Sequence, residues 1–252
     1  MDIDLSGRIA LVTGAGSGLG MSSAISLAQS GATLVLWGRT ESKLAEVGSK
    51  ILDMGRACHW YSVDVTEFEL INDNVKKILD RHGRIDILIN SAGTNIPQNA
   101  ELVTYEAWDS IMNINAKGLF FCCQAVAQQS MIPNRRGSII NISSQSGQVA
   151  LPKRAVYCAS KGAVDQLTRV MALEWAEYNI RVNAVAPTFV KTPLTEKMLE
   201  DRSFSEYVLG NIPMKRLATP EDVANVVCFL ASDKSAMITG AIIPVDGGWT
   251  IH

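Results

Sequence analysis

Short runs of β-branched and apolar residues alternate with longer stretches of helical period along the whole 252-residue chain. The strand-like runs are 8–13 (RIALVT), 33–37 (TLVLW), 58–63 (CHWYSV), 86–89 (DILI), 137–142 (GSIINI), 180–186 (IRVNAVA) and 240–245 (GAIIPV). Between them the periodicity predicts helices near 19–30, 41–54, 67–81, 104–130, 155–178, 194–209 and 220–231. Start signals precede some of these, such as Thr66-Glu67 before the third and Thr219-Pro220-Glu221 before the last. Such alternation predicts an α/β fold, a seven-stranded parallel sheet with helices on both faces. Right-handed crossovers make it doubly wound, with ligands at the carboxyl ends of the strands. No Pro/Ser-rich linker or repeat divides the chain, so 1–252 is read as one domain.

Composition narrows the partners. With 47% hydrophobic and 19% charged residues the chain is of soluble globular type. A net charge of −2 offers no basic face to nucleic acid or an anionic membrane. The start, MDIDLSGRIALVTG, carries acids where a signal peptide carries positive charge, and no apolar run approaches a membrane span, so a cytoplasmic protein is expected. Cysteines 58, 122, 123, 158 and 228 include no C-x-x-C pair and read as reduced, mostly buried residues. Histidines 59, 82 and 252 have no ligand spacing, and no metal is expected.

Candidate chemistry begins at 13–20, TGAGSGLG, directly after the first strand. The G-x-G-x-x-G pattern fails because residue 19 is Leu19; T-G-x-x-x-G-x-G fits, through Gly14, Gly18 and Gly20. With Ser17 and Leu19, these form a cradle whose backbone N–H groups, at a helix N-terminus, face a pyrophosphate. After the second strand the chain reads Leu36-Trp37-Gly38-Arg39-Thr40, with no acid until Glu41. An acid there would hold ribose hydroxyls, whereas Arg39 and Thr40 suit a 2′-phosphate, so NADP(H) is preferred over NAD(H). Asp64 and Val65 close the third strand, where they would meet the adenine.

Tyr157 and Lys161 stand four apart, on one face of the fifth predicted helix. A free phenol has a pKa of about 10, and a nearby ammonium favours the phenolate. Tyr157 would then protonate a carbonyl oxygen, or take the proton from an alcohol, while Ser144, at the end of the strand GSIINISS, hydrogen-bonds the same oxygen.

Together with DV at 64–65, NSAG at 90–93, NINAKG at 113–118, RVNAVAPT at 181–188 and VDGGW at 245–249, these motifs make the chain resemble the short-chain dehydrogenase/reductase family, in its form of about 250 residues. The resemblance implies a Rossmann fold and a catalytic tetrad of Asn115, Ser144, Tyr157 and Lys161. Asn115 would hold a relay water beside Lys161, and Lys161 would also bind the nicotinamide ribose. Asn90, Ala92 and Gly93 would line the coenzyme, with Pro187 and Val190 preceding Thr192, which would hold the carboxamide. It also implies a homotetramer, built on the helices at 104–130 and 155–178 and the C-terminus, and a substrate lid over about 191–215.

The resemblance implies a small carbonyl or alcohol compound as substrate. Polar residues expected at the cleft mouth, Asn95, Gln98, Gln145, Gln148, Lys153 and Arg154, suit a hydroxyl-rich or carboxylated one. Several runs resemble the family's sugar-acid and polyol branch, the gluconate 5-dehydrogenase-like enzymes. Two alternatives stay open. A 3-oxoacyl-carrier-protein reductase would need Arg135, Arg136 and Arg169 as a docking patch, and a carbonyl reductase for hydrophobic ketones would use Met198, Leu199, Phe204 and Leu209 of the lid.

Overall fold

A computed structural model describes residues 3–193 and 195–251. Met1, Asp2, Leu194 and His252 lie outside the described residues; the acidic start, the first residue of the sixth predicted helix and one of the three histidines fall there. Seven strands, β1 (Ile9–Thr13), β2 (Thr33–Gly38), β3 (Cys58–Ser62), β4 (Ile87–Asn90), β5 (Gly137–Ile142), β6 (Ile180–Pro187) and β7 (Ile242–Val245), form one sheet in the order 3-2-1-4-5-6-7. Every pairing is parallel.

The inner strands, β1, β2, β4, β5 and β6, read as nearly continuous apolar runs because both faces are covered. Ala10, Val12, Leu34, Leu36, Ile87, Ile89, Ile140 and Ile142 point to one side, against helices α1 (Gly18–Gln29), α2 (Glu41–Asp53) and α10 (Pro220–Ala231). Their neighbours Leu11, Val35, Trp37, Leu88 and Ile139 point to the other, against α3 (Phe68–His82), the helix from residue 105 to 134, and α7 (Ala155–Trp175). This period-two division makes two cores from one sheet. The chain reverses direction between β1 and β4, which opens a crevice at their carboxyl ends.

Local chemistry shifts several predicted boundaries. Thr219 accepts from the Asp222 N–H while Asp222 accepts from the Thr219 N–H, and Pro220 takes the first turn, so α10 starts as expected. The third helix starts later, at Phe68, because the Thr66 hydroxyl and N–H are both donated to Asp64. The predicted helix at 104–130 is α4 (Tyr105–Met112), a wider π turn at Asn113–Gly118, α5 (Leu119–Val126), a second π turn at Ala127–Met131 and α6 (Ile132–Asn134). The second wide turn precedes Pro133, whose ring would clash with the Gln129 carbonyl in a regular α turn. The segment at 194–209 divides into α8 (Glu196–Leu199) and α9 (Arg202–Asn211), because Asp201 turns to cap α9 through the N–H groups of Ser203 and Phe204.

Candidate active site

A cleft of about 330 Å³ runs along the carboxyl ends of the central strands. Its glycine wall depends on two close approaches. Gly14 has φ +66°, and a Cβ there would lie 2.7 Å from the Ala92 nitrogen of the loop after β4. Gly20 packs against the Gly14 carbonyl, where any Cβ would overlap it. The α1 N-terminus thereby sits against β1, and Ser17 at its cap makes no side-chain hydrogen bond. Its first N–H groups are thus free of side-chain partners, the condition for receiving an anion. Ser17, Gly18, Leu19, Arg39, Thr40, Asp64, Val65, Ala92, Gly93, Pro187, Val190 and Thr192 line the cleft with Gly14.

Gly20 and Asn90, both read from the sequence as coenzyme contacts, do not line it. Gly20 is buried behind the turn, and Asn90 is 3% exposed, donating to Cys123 and to Asn141. The register explains Asn90: it pairs with Asn141 across β4 and β5, below the end of the sheet. Lys43, which the motifs did not flag, joins Arg39 and Thr40 at their end of the cleft. None of the six ion pairs among the described residues uses Arg39 or Lys43. Thr40 caps α2 without a side-chain bond, which leaves a second helix N-terminus facing the same end.

At the opposite end, Ser144 follows β5 while Tyr157 and Lys161 project from the first two turns of α7, and all three line the cleft. Burial raises the Tyr157 phenol above its usual range; a hydrogen bond with Ser144 and the Arg154 charge lower it in part, while Cys158 adds to the rise. Lys161 Nζ donates to the Ile142 carbonyl at 2.8 Å and stands 5.7 Å from the Tyr157 ring centre. Burial pulls the lysine down to about 8, against Asp165, which holds it up. The expected pull of Lys161 on the phenol is therefore not the governing effect in this arrangement: the tyrosine keeps its proton at neutral pH.

Asn115 lies in the first π turn, fully buried and outside the cleft lining. Its amide donates to the Thr94 carbonyl at 2.9 Å and to Ser160 Oγ at 3.0 Å, and its oxygen accepts from the Thr94 N–H at 2.8 Å. Both amide hydrogens are spent on protein, so the side chain braces the 91–94 loop against α7. Sequence reasoning missed Asp165, one turn past Lys161. It is 3% exposed, accepts from Ser143 Oγ at 2.5 Å, and sits where any Cβ at Gly147 would intrude. The i, i+4 spacing from Lys161 was the available signal.

A second, smaller cavity of about 60 Å³ adjoins the first, and Ser144, Tyr157, Thr188 and Thr195 line both. Of the polar residues expected at the mouth, Asn95, Gln145 and Arg154 line it, whereas Gln98, Gln148 and Lys153 do not. Phe204, a candidate contact for hydrophobic ketones, is instead packed against Phe189 with ring centres 5.5 Å apart. Among the described residues no three His, Cys, Asp or Glu side chains group as metal ligands, and no helix is long and apolar enough to cross a membrane.

Comparison with known proteins adds ancestry to this geometry. The family model described as enoyl-(acyl carrier protein) reductase matches residues 14–250. The chain is 41% identical to the 3-oxoacyl-(acyl-carrier-protein) reductase of Thermotoga maritima, covering 98% of this chain and 99% of the relative. It is 38% identical to the L-xylulose reductase of Mus musculus, covering 99% of each. Among solved structures, a gluconate 5-dehydrogenase from Burkholderia cenocepacia in complex with NADP and tartrate superposes with a TM-score of 0.96 at 35% identity, covering 100% of this chain and 98% of that one.

Proposed function

The chain belongs to the short-chain dehydrogenase/reductase family, and on that premise we propose that it interconverts a small, polar ketone and the corresponding secondary alcohol with NADP(H). The observation that carries the reading is the convergence of Ser144, Tyr157 and Lys161 on the cleft that also holds the glycine cradle. The cradle fits a dinucleotide: Gly14 and Gly20 admit no Cβ, and the α1 N-terminus lacks a side-chain cap. Gly14, Ser17, Gly18 and Leu19 would hold the pyrophosphate, Asp64 and Val65 the adenine, and Ala92, Gly93, Pro187, Val190 and Thr192 the nicotinamide half. When bound, the nicotinamide supplies or accepts the hydride.

The remaining chemistry is the protein's. Ser144 orients the carbonyl oxygen and Tyr157 delivers a proton to it, so that a ketone, a hydride and a proton become an alcohol. Burial disfavours the phenolate and so holds Tyr157 in the form that donates. Lys161, charged below about pH 8, binds the ribose and hands Tyr157 its replacement proton. Asn115 fixes the loop beside them. Selection of NADP(H) is supported by Arg39, Lys43 and the uncapped α2 N-terminus, with no carboxylate ending β2.

We infer a cytoplasmic homotetramer and a lid over residues 191–215. Tyr105, 88% exposed, and Leu173, 80% exposed, leave apolar surface on α4 and α7 that a second copy would cover, and light scattering measures the mass directly. A carrier-protein substrate is favoured by the 41% identity to the Thermotoga maritima enzyme. Its basic patch is not at the cleft: Arg135 and Arg136 precede β5 at the amino edge of the sheet, and Arg136 pairs with Asp233. Arg169 rises about 18 Å along α7 from Tyr157.

The test is initial rates of NADPH and NADH oxidation with 5-ketogluconate, other keto-sugars, a 3-oxoacyl thioester and an aryl ketone. NADPH-dependent reduction of the keto-sugars is expected. Tyr157→Phe should lower turnover by about 10²–10⁴-fold while NADPH still binds. Undiminished turnover in that variant removes the assignment, and a faster thioester moves it to the carrier-bound substrate.

A further inference from the structure

The smaller cavity is built around a charge without a partner. Arg154 is 7% exposed, yet none of the six ion pairs among the described residues includes it. Its Nη1 donates to the Lys153 carbonyl at 3.1 Å and its Nη2 to the Met198 thioether at 2.8 Å, both neutral acceptors. A guanidinium stays protonated in proteins, so its charge cannot be shed to escape burial. An unpaired buried ion is among the costliest arrangements a fold can carry.

Beside it stand further polar atoms with nothing to bond. Gln145 is 1% exposed, and both its Oε1 and Nε2 are buried without a partner. Asn95 Oδ1 and Thr188 Oγ1 are in the same state. Native proteins leave few such groups, and several around one cavity mark a place that a ligand completes. The cavity of about 60 Å³ is shared at its rim with Ser144 and Tyr157, the two groups assigned to the reacting carbonyl.

We propose that this cavity receives the carboxylate end of the substrate, with Arg154 binding the carboxylate and Gln145 and Asn95 reading the hydroxyls next to it, so that hydroxy and keto acids are preferred over neutral ketoses of equal length. The inference rests on the proposed oxidoreductase reading and narrows its substrate. A neutral polyol would satisfy Gln145 and Asn95 but leave the guanidinium unpaired. An acyl chain could lie against Leu151 and Phe189, which also line the cavity, but it would leave the guanidinium and the polar atoms of Gln145 and Asn95 unpaired. A carboxylate takes the guanidinium through two parallel hydrogen bonds and cancels its charge.

The experiment compares NADPH-dependent reduction of 5-ketogluconate with that of D-fructose, in the wild type, Arg154→Met and Arg154→Lys. The wild type should favour the acid. In Arg154→Met the acid-to-ketose ratio of kcat/KM should fall about 10- to 100-fold, the range of one charge-assisted hydrogen bond. Arg154→Lys should recover part of it, and NADPH affinity reports that each variant is folded. A measurement on the wild type alone covers the case of a variant that fails to fold: gluconate should inhibit competitively at lower concentration than glucitol. A ratio unchanged in Arg154→Met, or glucitol inhibiting as well as gluconate, overturns the subsite while leaving the oxidoreductase reading intact. Failure of the wild type to reduce either compound removes the reading of a small polar ketone as substrate, and this inference with it.

Discussion

Three glycines of the TGAGSGLG turn face different surroundings, and replacing each by alanine separates their roles. Gly14 carries both burdens. Its φ of +66° costs any other residue about 1–2 kcal/mol. Its added Cβ would lie 2.7, 2.8 and 2.9 Å from backbone atoms of Ala92 and Ser91, which no rotamer change can relieve. The two loops must part by roughly 0.7 Å to restore an ordinary 3.4 Å contact, and overpacking of this kind costs about 1–3 kcal/mol. Gly14→Ala is therefore worth about 2–5 kcal/mol, which at about 2–4 °C per kcal/mol in a domain of this size lowers Tm by about 4–20 °C. At Gly18 only the backbone strain applies, since φ is +54° and the nearest atoms of Thr192 are 3.6 Å away. Gly16 has no positive φ, and its Cβ would meet the Lys43 side chain at 3.1 Å, so Gly16→Ala should stay within about 1 kcal/mol. Thermal melts give the stability series, and NADPH fluorescence titration gives the affinity, which should weaken at least about tenfold in Gly14→Ala alone. Should Gly14→Ala and Gly16→Ala melt together and bind NADPH equally, the two-loop cradle is not what these glycines serve.

Two other changes probe the charges along the cleft. Arg39→Ala should raise the KM for NADPH about tenfold, the low end for a charge-assisted contact because Arg39 is exposed, with a smaller effect on NADH; equal effects on both coenzymes would take Arg39 away from the 2′-phosphate. Reduction should fall as pH rises through about 8, because Lys161 loses its proton there while the raised phenol of Tyr157 keeps its own. The negative charge of Asp165 holds Lys161 up, so Asp165→Asn should move that alkaline limb of kcat/KM to lower pH. A limb that stays in place, with activity lowered uniformly, would make Asp165 a packing residue rather than a positioning one.

What the chain declared in its sequence was governed by local rules. Each inner strand, β1, β2, β4, β5 and β6, is a short run buried on both faces, and such runs stand out whatever lies around them; the ends move by a residue or two where a single position intervenes, as Gly240 at φ +75° delays β7 to Ile242. The cradle and the Tyr157–Lys161 pair were equally legible, since both are spacings within one turn or one helix. Properties that depend on neighbours from elsewhere were not. The wide turn at Asn113–Gly118 exists where Gly118 approaches the Val65 carbonyl, a contact made across the sheet edge. The balance of influences on Tyr157 is of the same kind, because i, i+4 spacing brings a lysine near a phenol without deciding where its ammonium points, and Ile142, on another strand, supplies the competing acceptor.

Arg154 shows the same limit in its sharpest form. As a residue type it belongs in solvent, and the sequence places it at the cleft mouth without any sign of burial; the fold buries it where Met198 of α8 meets a side chain that starts just before α7. Local rules describe the conformation a segment prefers, whereas binding sites are made where segments meet and leave polar groups unsatisfied. The glycine end of this cleft is legible in its motif because the close approaches that shape it are backbone against backbone. The substrate end is read instead from the partners its side chains lack, and those are countable only once the segments are in place.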